Sequence, residues 1–222
     1  KSAKFMTPGH PELELALVKL YDATGEKRYL ELSKYFIDTH GTVPADVEHN
    51  YDWMSPLYNM DEMPLADRTT IDGHSVRACY LYSGVADVAG LYDDKKLFEA
   101  CKRVFDNAVN KRMYITGGIG STHIGEAFTV DYDLPGRTGY AETCAAISLA
   151  FFAHRMMRFE NDARYADIIE KTSVRRRLIK AGTEIANKAY EDDAKAYLKE
   201  YDCDAEHIYG VTISAELSGS YQ

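Results

Sequence analysis

The sequence predicts an all-α fold built from helical hairpins. Apolar residues recur at helical spacing in paired segments, short polar turns join the members of each pair, and the pairs repeat at a constant interval. Aligning Lys27-Arg28-Tyr29-Leu30 with Lys95-Lys96-Leu97-Phe98 and with Ala163-Arg164-Tyr165-Ala166 gives a spacing of 68 residues, then 68 again. An α-hairpin repeat or an α/α toroid follows. Only Tyr209 to Leu217 offers the alternation of a strand.

The elements follow in order. Leu13, Leu15, Ala16, Leu17, Leu20 and Tyr21 make an apolar face that ends near Thr24-Gly25, a helix-stop signal. Tyr29, Leu30, Leu32, Tyr35, Phe36 and Ile37 make the second face, ending at Gly41. The second pair runs from Val76 to Leu91 and from Lys95 to Ala108, joined by Tyr92-Asp93-Asp94. The third runs from Tyr140 to Phe159 and from Ala163 to about Thr172, joined by Glu160-Asn161-Asp162. Residues 1–172 are thus expected to form one helical unit. Residues 173–222 form a tail, with a charged helix over about Thr183 to Tyr201.

Composition narrows the function. With 26 basic and 35 acidic residues the net charge is -9, which disfavours nucleic acid and anionic lipid. The basic run Arg175-Arg176-Arg177 reads as a solvated helix face. The longest apolar run, Ala145 to Ala153 broken only by Ser148, is far short of the roughly 20 residues of a membrane span. Four cysteines without CxxC spacing favour a reducing compartment, and the expected localisation is cytoplasmic. The 17 tyrosines suit buried amphipathic positions and sugar-stacking clefts equally.

The repeat also places candidate site residues. Hairpin turns lie at one end of such a stack, so the long connections Thr39 to Asp72 and about Asn110 to Gly139 lie at the other. They read as structureless, with Trp53, several tyrosines and the tight glycine-rich run Thr116 to Ser121. His74 and Glu142 stand one repeat apart at two helix starts, and His10 precedes the first helix. These three are expected to converge on one rim. Glu126 and Glu142 form a carboxylate pair of the kind that cleaves glycosidic bonds, although most arbitrary carboxylate pairs are surface groups. Cys144 stands two residues after Glu142, and both side chains can bind zinc; on its residues alone, Cys144 reads better as a small buried hydrophobe. His40, His49, His123, His154 and His207 read as structural.

Several segments together carry a resemblance. Gly9-His10-Pro11-Glu12-Leu13, Gly73-His74-Ser75-Val76-Arg77-Ala78, Met113 to Ser121, Gly125-Glu126-Ala127-Phe128 and Tyr140-Ala141-Glu142-Thr143-Cys144-Ala145 resemble the β-L-arabinofuranosidases of glycoside hydrolase family 127, over about residues 5–172. The resemblance implies part of an (α/α)6 barrel catalytic domain and retaining hydrolysis of terminal β-L-arabinofuranosides by a zinc-bound cysteine. It implies Glu126 as the general acid/base, Glu142 and Cys144 as two of four zinc ligands, and His74 and His10 as residues lining the sugar pocket. The other two ligands, one of them the nucleophile, would come from a later Cys-Cys pair. This sequence has no adjacent cysteines, and Cys203 alone follows Cys144. Six hairpins at this period would take about 408 residues, so 222 residues supply three or four. A non-catalytic helical-repeat module that binds carbohydrate or acts as a scaffold is the alternative, and open hairpin faces leave room for a homo-oligomer.

Overall fold

The first hairpin begins at Leu13 and turns at Gly25, which adopts the left-handed conformation (φ 73°) and donates its N–H to Tyr21 O at 2.8 Å. A residue without Cβ adopts this helix-ending geometry at no steric cost. The computed structural model describes residues 7–42 and 56–173. Among these residues it is helical, with α1 at Leu13–Thr24, α2 at Lys27–Thr39, α3 at Ser75–Leu91, α4 at Lys95–Lys111, α5 at Thr143–Phe159 and α6 over 163–173. The second member of each hairpin starts at 27, 95 and 163, the 68-residue register of the sequence. Asp94 caps α4 by accepting the Leu97 N–H at 3.0 Å.

Helix α3 lies at the centre, against α1, α2, α4 and α5. Thirteen of its 17 residues are buried, so its apolar character is not confined to one stripe. The core beneath it is aromatic: the Phe105 ring stands edge-on to Phe152 at 5.3 Å and to Tyr165 at 5.0 Å. No helix among the described residues is long and apolar enough to cross a membrane.

Four expectations need correction. Helix α5 starts at Thr143 rather than Tyr140, because Ala141 takes a positive φ of 43° and donates its N–H to Gly120 O at 2.7 Å. That bond fastens the approach to α5 onto the preceding connection. Helix α4 continues to Lys111, where the Arg112 N–H still bonds Ala108 O. The connections are not structureless: they carry 3-10 turns at Pro56–Asn59, Leu65–Asp67 and Ile124–Glu126. Cys144 is exposed rather than buried, in the first turn of α5, while Ala145, Ala146 and Leu149 take the core positions. Trp53, His49, the run Arg175 to Arg177, Cys203, His207 and the helix and strand expected between 183 and 217 lie outside the described residues.

Candidate active site

The site is assembled where two connections meet the starts of α3 and α5. The segment before α3 and the 113–128 loop pair with each other: the Phe128 N–H donates to Gly73 O at 2.9 Å, and Ser75 Oγ donates to Glu126 O at 3.0 Å. Gly120 makes this approach possible, since a Cβ there would stand 2.6 Å from Ser75 Oγ, and its φ is +82°. The glycine-rich run is thus the close backbone approach expected of it.

Glu126 stands on a left-handed turn after Gly125, itself at φ 51°, an unusual conformation for a residue with a Cβ. Its side chain is 41% exposed and is held at both oxygens. His74 Nε2 lies 2.9 Å from Oε2, and Tyr140 OH donates to Oε1 at 2.8 Å. His74 is also the N-cap of α3: its Nδ1 accepts the Val76 N–H at 3.1 Å. Burial is the main influence lowering the His74 pKa, with Glu126 opposing and Arg77 assisting. Tyr58 packs edge-on against the His74 ring at 5.7 Å, with the Arg77 guanidinium 5.6 Å from the Tyr58 ring centre.

Glu142 is buried and extended (ψ 159°), immediately before α5. Ligand-capable atoms of His74, Glu126 and Glu142 lie within 4.8 Å of one another. Burial, and then the Glu126 charge, push the Glu142 carboxyl up to about 7. The two carboxyl groups thus stand close enough for the charge of Glu126 to disfavour that of Glu142.

The rim brings together His74, Glu126 and Glu142, while His10 stands outside that cluster but near enough for its charge to help lower the His74 pKa. His10 is exposed, 6.1 Å from the Tyr80 ring, and its segment is tied to α3 by Arg77 Nη1 donating to Gly9 O at 3.3 Å. Tyr58, Ser75 and Tyr140 carried no role in the sequence reading. Tyr140 stood inside a quoted motif, whereas nothing separated Tyr58 from the other tyrosines.

The described residues do not by themselves fit a zinc–thiolate centre. Cys144 joins no cluster of three possible metal ligands among them. His74 fits no better as a ligand, because the Val76 N–H occupies the Nδ1 lone pair and leaves the proton on Nε2.

The comparisons agree in one direction. A family model for the β-L-arabinofuranosidase GH127 catalytic domain matches residues 1–180. A non-reducing end β-L-arabinofuranosidase from Bifidobacterium longum subsp. longum is 47% identical over 175 residues, covering 73% of this chain and 27% of that protein. The crystal structure of a GH127 β-L-arabinofuranosidase from Geobacillus stearothermophilus T6 superposes with a TM-score of 0.70 at 43% identity, over 75% of this chain and 28% of the other. The GH127 β-arabinofuranosidase BT3674 gives a TM-score of 0.68 at 43% identity, over 75% and 25% of the two chains. The chain spans about a quarter of the length of these relatives.

Proposed function

From the premise that this chain belongs to the β-L-arabinofuranosidase GH127 family, we propose that its rim binds a terminal β-L-arabinofuranoside and that Glu126 is the general acid/base of its hydrolysis. The observation that carries this reading is a half-exposed carboxylate held at both oxygens beside a second carboxyl group that shares its charge. The described residues 7–42 and 56–173 include the part of the (α/α)6 barrel that presents this rim.

The steps assigned to the chain are few. Glu126, protonated, gives its proton to the leaving glycosidic oxygen as that bond breaks, and then takes a proton from the incoming water. Glu142, its carboxyl raised to about 7, stands beside Glu126 as a second carboxyl group. His74 and Tyr140 hold the Glu126 carboxylate, and the exposed His10 borders the place for the sugar. The retaining course requires a nucleophile on the opposite face of the sugar ring. We assign it to none of the described residues.

A second reading has its own observation. Cys144 stands outside the cluster of possible metal ligands among the described residues, which favours a module that binds carbohydrate without cleaving it. Hydrolysis of 4-nitrophenyl β-L-arabinofuranoside by the protein and by Glu126→Gln, with calorimetry of L-arabinose binding, separates the two. Turnover that falls at least 100-fold in Glu126→Gln supports the acid/base role, within the usual range for removing such a group. Undiminished turnover in the variant defeats it, and binding without turnover selects the second reading.

A further inference from the structure

Each oxygen of Glu126 has a donor of a different kind. A backbone N–H can only donate, so the Val76 N–H, 3.1 Å from His74 Nδ1, requires that nitrogen to present its lone pair. The neutral imidazole then carries its proton on Nε2, 2.9 Å from Glu126 Oε2. This donor cannot reverse, because an Nδ1–H would face the Val76 N–H head-on. The Tyr140 hydroxyl, 2.8 Å from Oε1, can reverse: rotation about its C–O bond turns it from donor into acceptor.

We propose that Tyr140 is a positioning residue for Glu126 that switches from hydrogen-bond donor to acceptor when Glu126 is protonated, so that the acid proton sits on Oε1 while Oε2 stays bound to His74. This rests on the acid/base reading of Glu126 and names the atom that does the work. The balance is simple: the proton on Oε1 passes to the leaving oxygen, and Tyr140 then rotates to donate to the carboxylate that remains. The two anchors belong to different elements, the start of α3 and the approach to α5, so the carboxylate is fixed only when the two helix starts are in register.

The first test needs no turnover. In the 15N-labelled protein at pH 8, long-range imidazole correlations, assigned with His74→Gln, are expected to show His74 as the fixed Nε2–H tautomer. In Tyr140→Phe the tautomer persists, but the Nε2–H exchanges with water roughly tenfold faster or more, the size of one lost hydrogen bond to a charged group. An Nδ1–H or averaged tautomer, or an unchanged exchange rate in Tyr140→Phe, overturns the proposal. The second test compares an alkyl with a 4-nitrophenyl β-L-arabinofuranoside. Tyr140→Phe should slow the alkyl substrate, which needs the proton, roughly tenfold more than the nitrophenyl one, whereas equal loss on both would mark a merely structural tyrosine. A fixed tautomer with accelerated exchange in a protein without turnover would defeat the acid/base reading and leave the positioning geometry standing. Turnover with an averaged His74 would do the reverse.

Discussion

Asp87 on α3 and Arg155 on α5, one repeat of 68 residues apart, form a buried ion pair with Nε 2.9 Å from Oδ2. Equivalent positions of consecutive hairpins are thus bonded to each other. Asp87 is fully buried, and Arg158 Nη1 donates to its other oxygen at 2.7 Å. Burial nevertheless outweighs the two arginines and raises the Asp87 pKa.

This pair predicts the cost of separating the hairpins. Arg155→Met leaves a buried carboxylate with one partner, and should lower unfolding stability by about 3 kcal/mol. Urea denaturation of the variant and of Asp87→Asn/Arg155→Met measures it. The double variant, which removes both charges, is expected to be less impaired than Arg155→Met. A single variant as stable as the parent would show that the pair contributes nothing.

A second buried group sets a limit at alkaline pH. His40, at the end of α2, lies against Asp61 and 3.9 Å from Glu14 of α1, all three buried. Burial opposes its charge, but the two carboxylates prevail and raise its pKa to about 9. The folded-state value exceeds the ordinary 6.5, so the contribution is complete below about pH 6.5. It is lost as pH rises through 9. The melting temperature should fall over that window and level off above it, and His40→Gln should flatten the fall. An equal slope in the variant would reject the assignment.

Glu142 predicts a trade of stability against function. Its carboxyl is raised to about 7, above its ordinary 4.5, so its ionisation disfavours the fold increasingly as pH climbs from 4.5 to 7. Glu142→Gln should raise the melting temperature by about 2–6 °C at pH 8 and change little at pH 4. A lower melting temperature at pH 8 would mean that the carboxylate is compensated by groups outside the described residues. The same variant should lose hydrolytic activity if this second carboxyl group matters.

Arg112 is expected to govern the rim from a distance. It donates from Nη1 to Ile71 O and, at 2.9 Å, to Asp72 Oδ1, and from Nε to Asp131 Oδ1 at 2.9 Å. The first two partners lie just before His74, and the third lies just beyond Glu126. Lys111, Asn107 and Arg112 together hold the Asp131 carboxyl well below the usual carboxylate range. Arg112→Met should release both connections at once, giving faster proteolytic cleavage within 113–142, and lower stability by roughly 2 kcal/mol. If the loop stays protected, the connections are held by their backbone pairing alone.

The 68-residue period and the helix faces are local properties of the sequence. Apolar spacing, Gly25 and Asp94 specify where α1 stops and where α4 starts, because capping and amphipathicity act within a few residues. The same register placed His74 and Glu142 at one end of the helices, with His10 expected beside them. What surrounds them was decided by tertiary structure. The start of α5 waits on an Ala141–Gly120 bond between segments 21 residues apart, which no helical period contains. Cys144 turns outward because Ala145 and Leu149 win the core positions of the same helix. Tyr140 and Tyr58 reach the site only after two connections fold back onto α3, so their roles depend on contacts far apart in the chain. Sequence alone placed His74 and Glu142 near the rim. Packing settled which residues touch there, and hence which side chain meets each oxygen of Glu126.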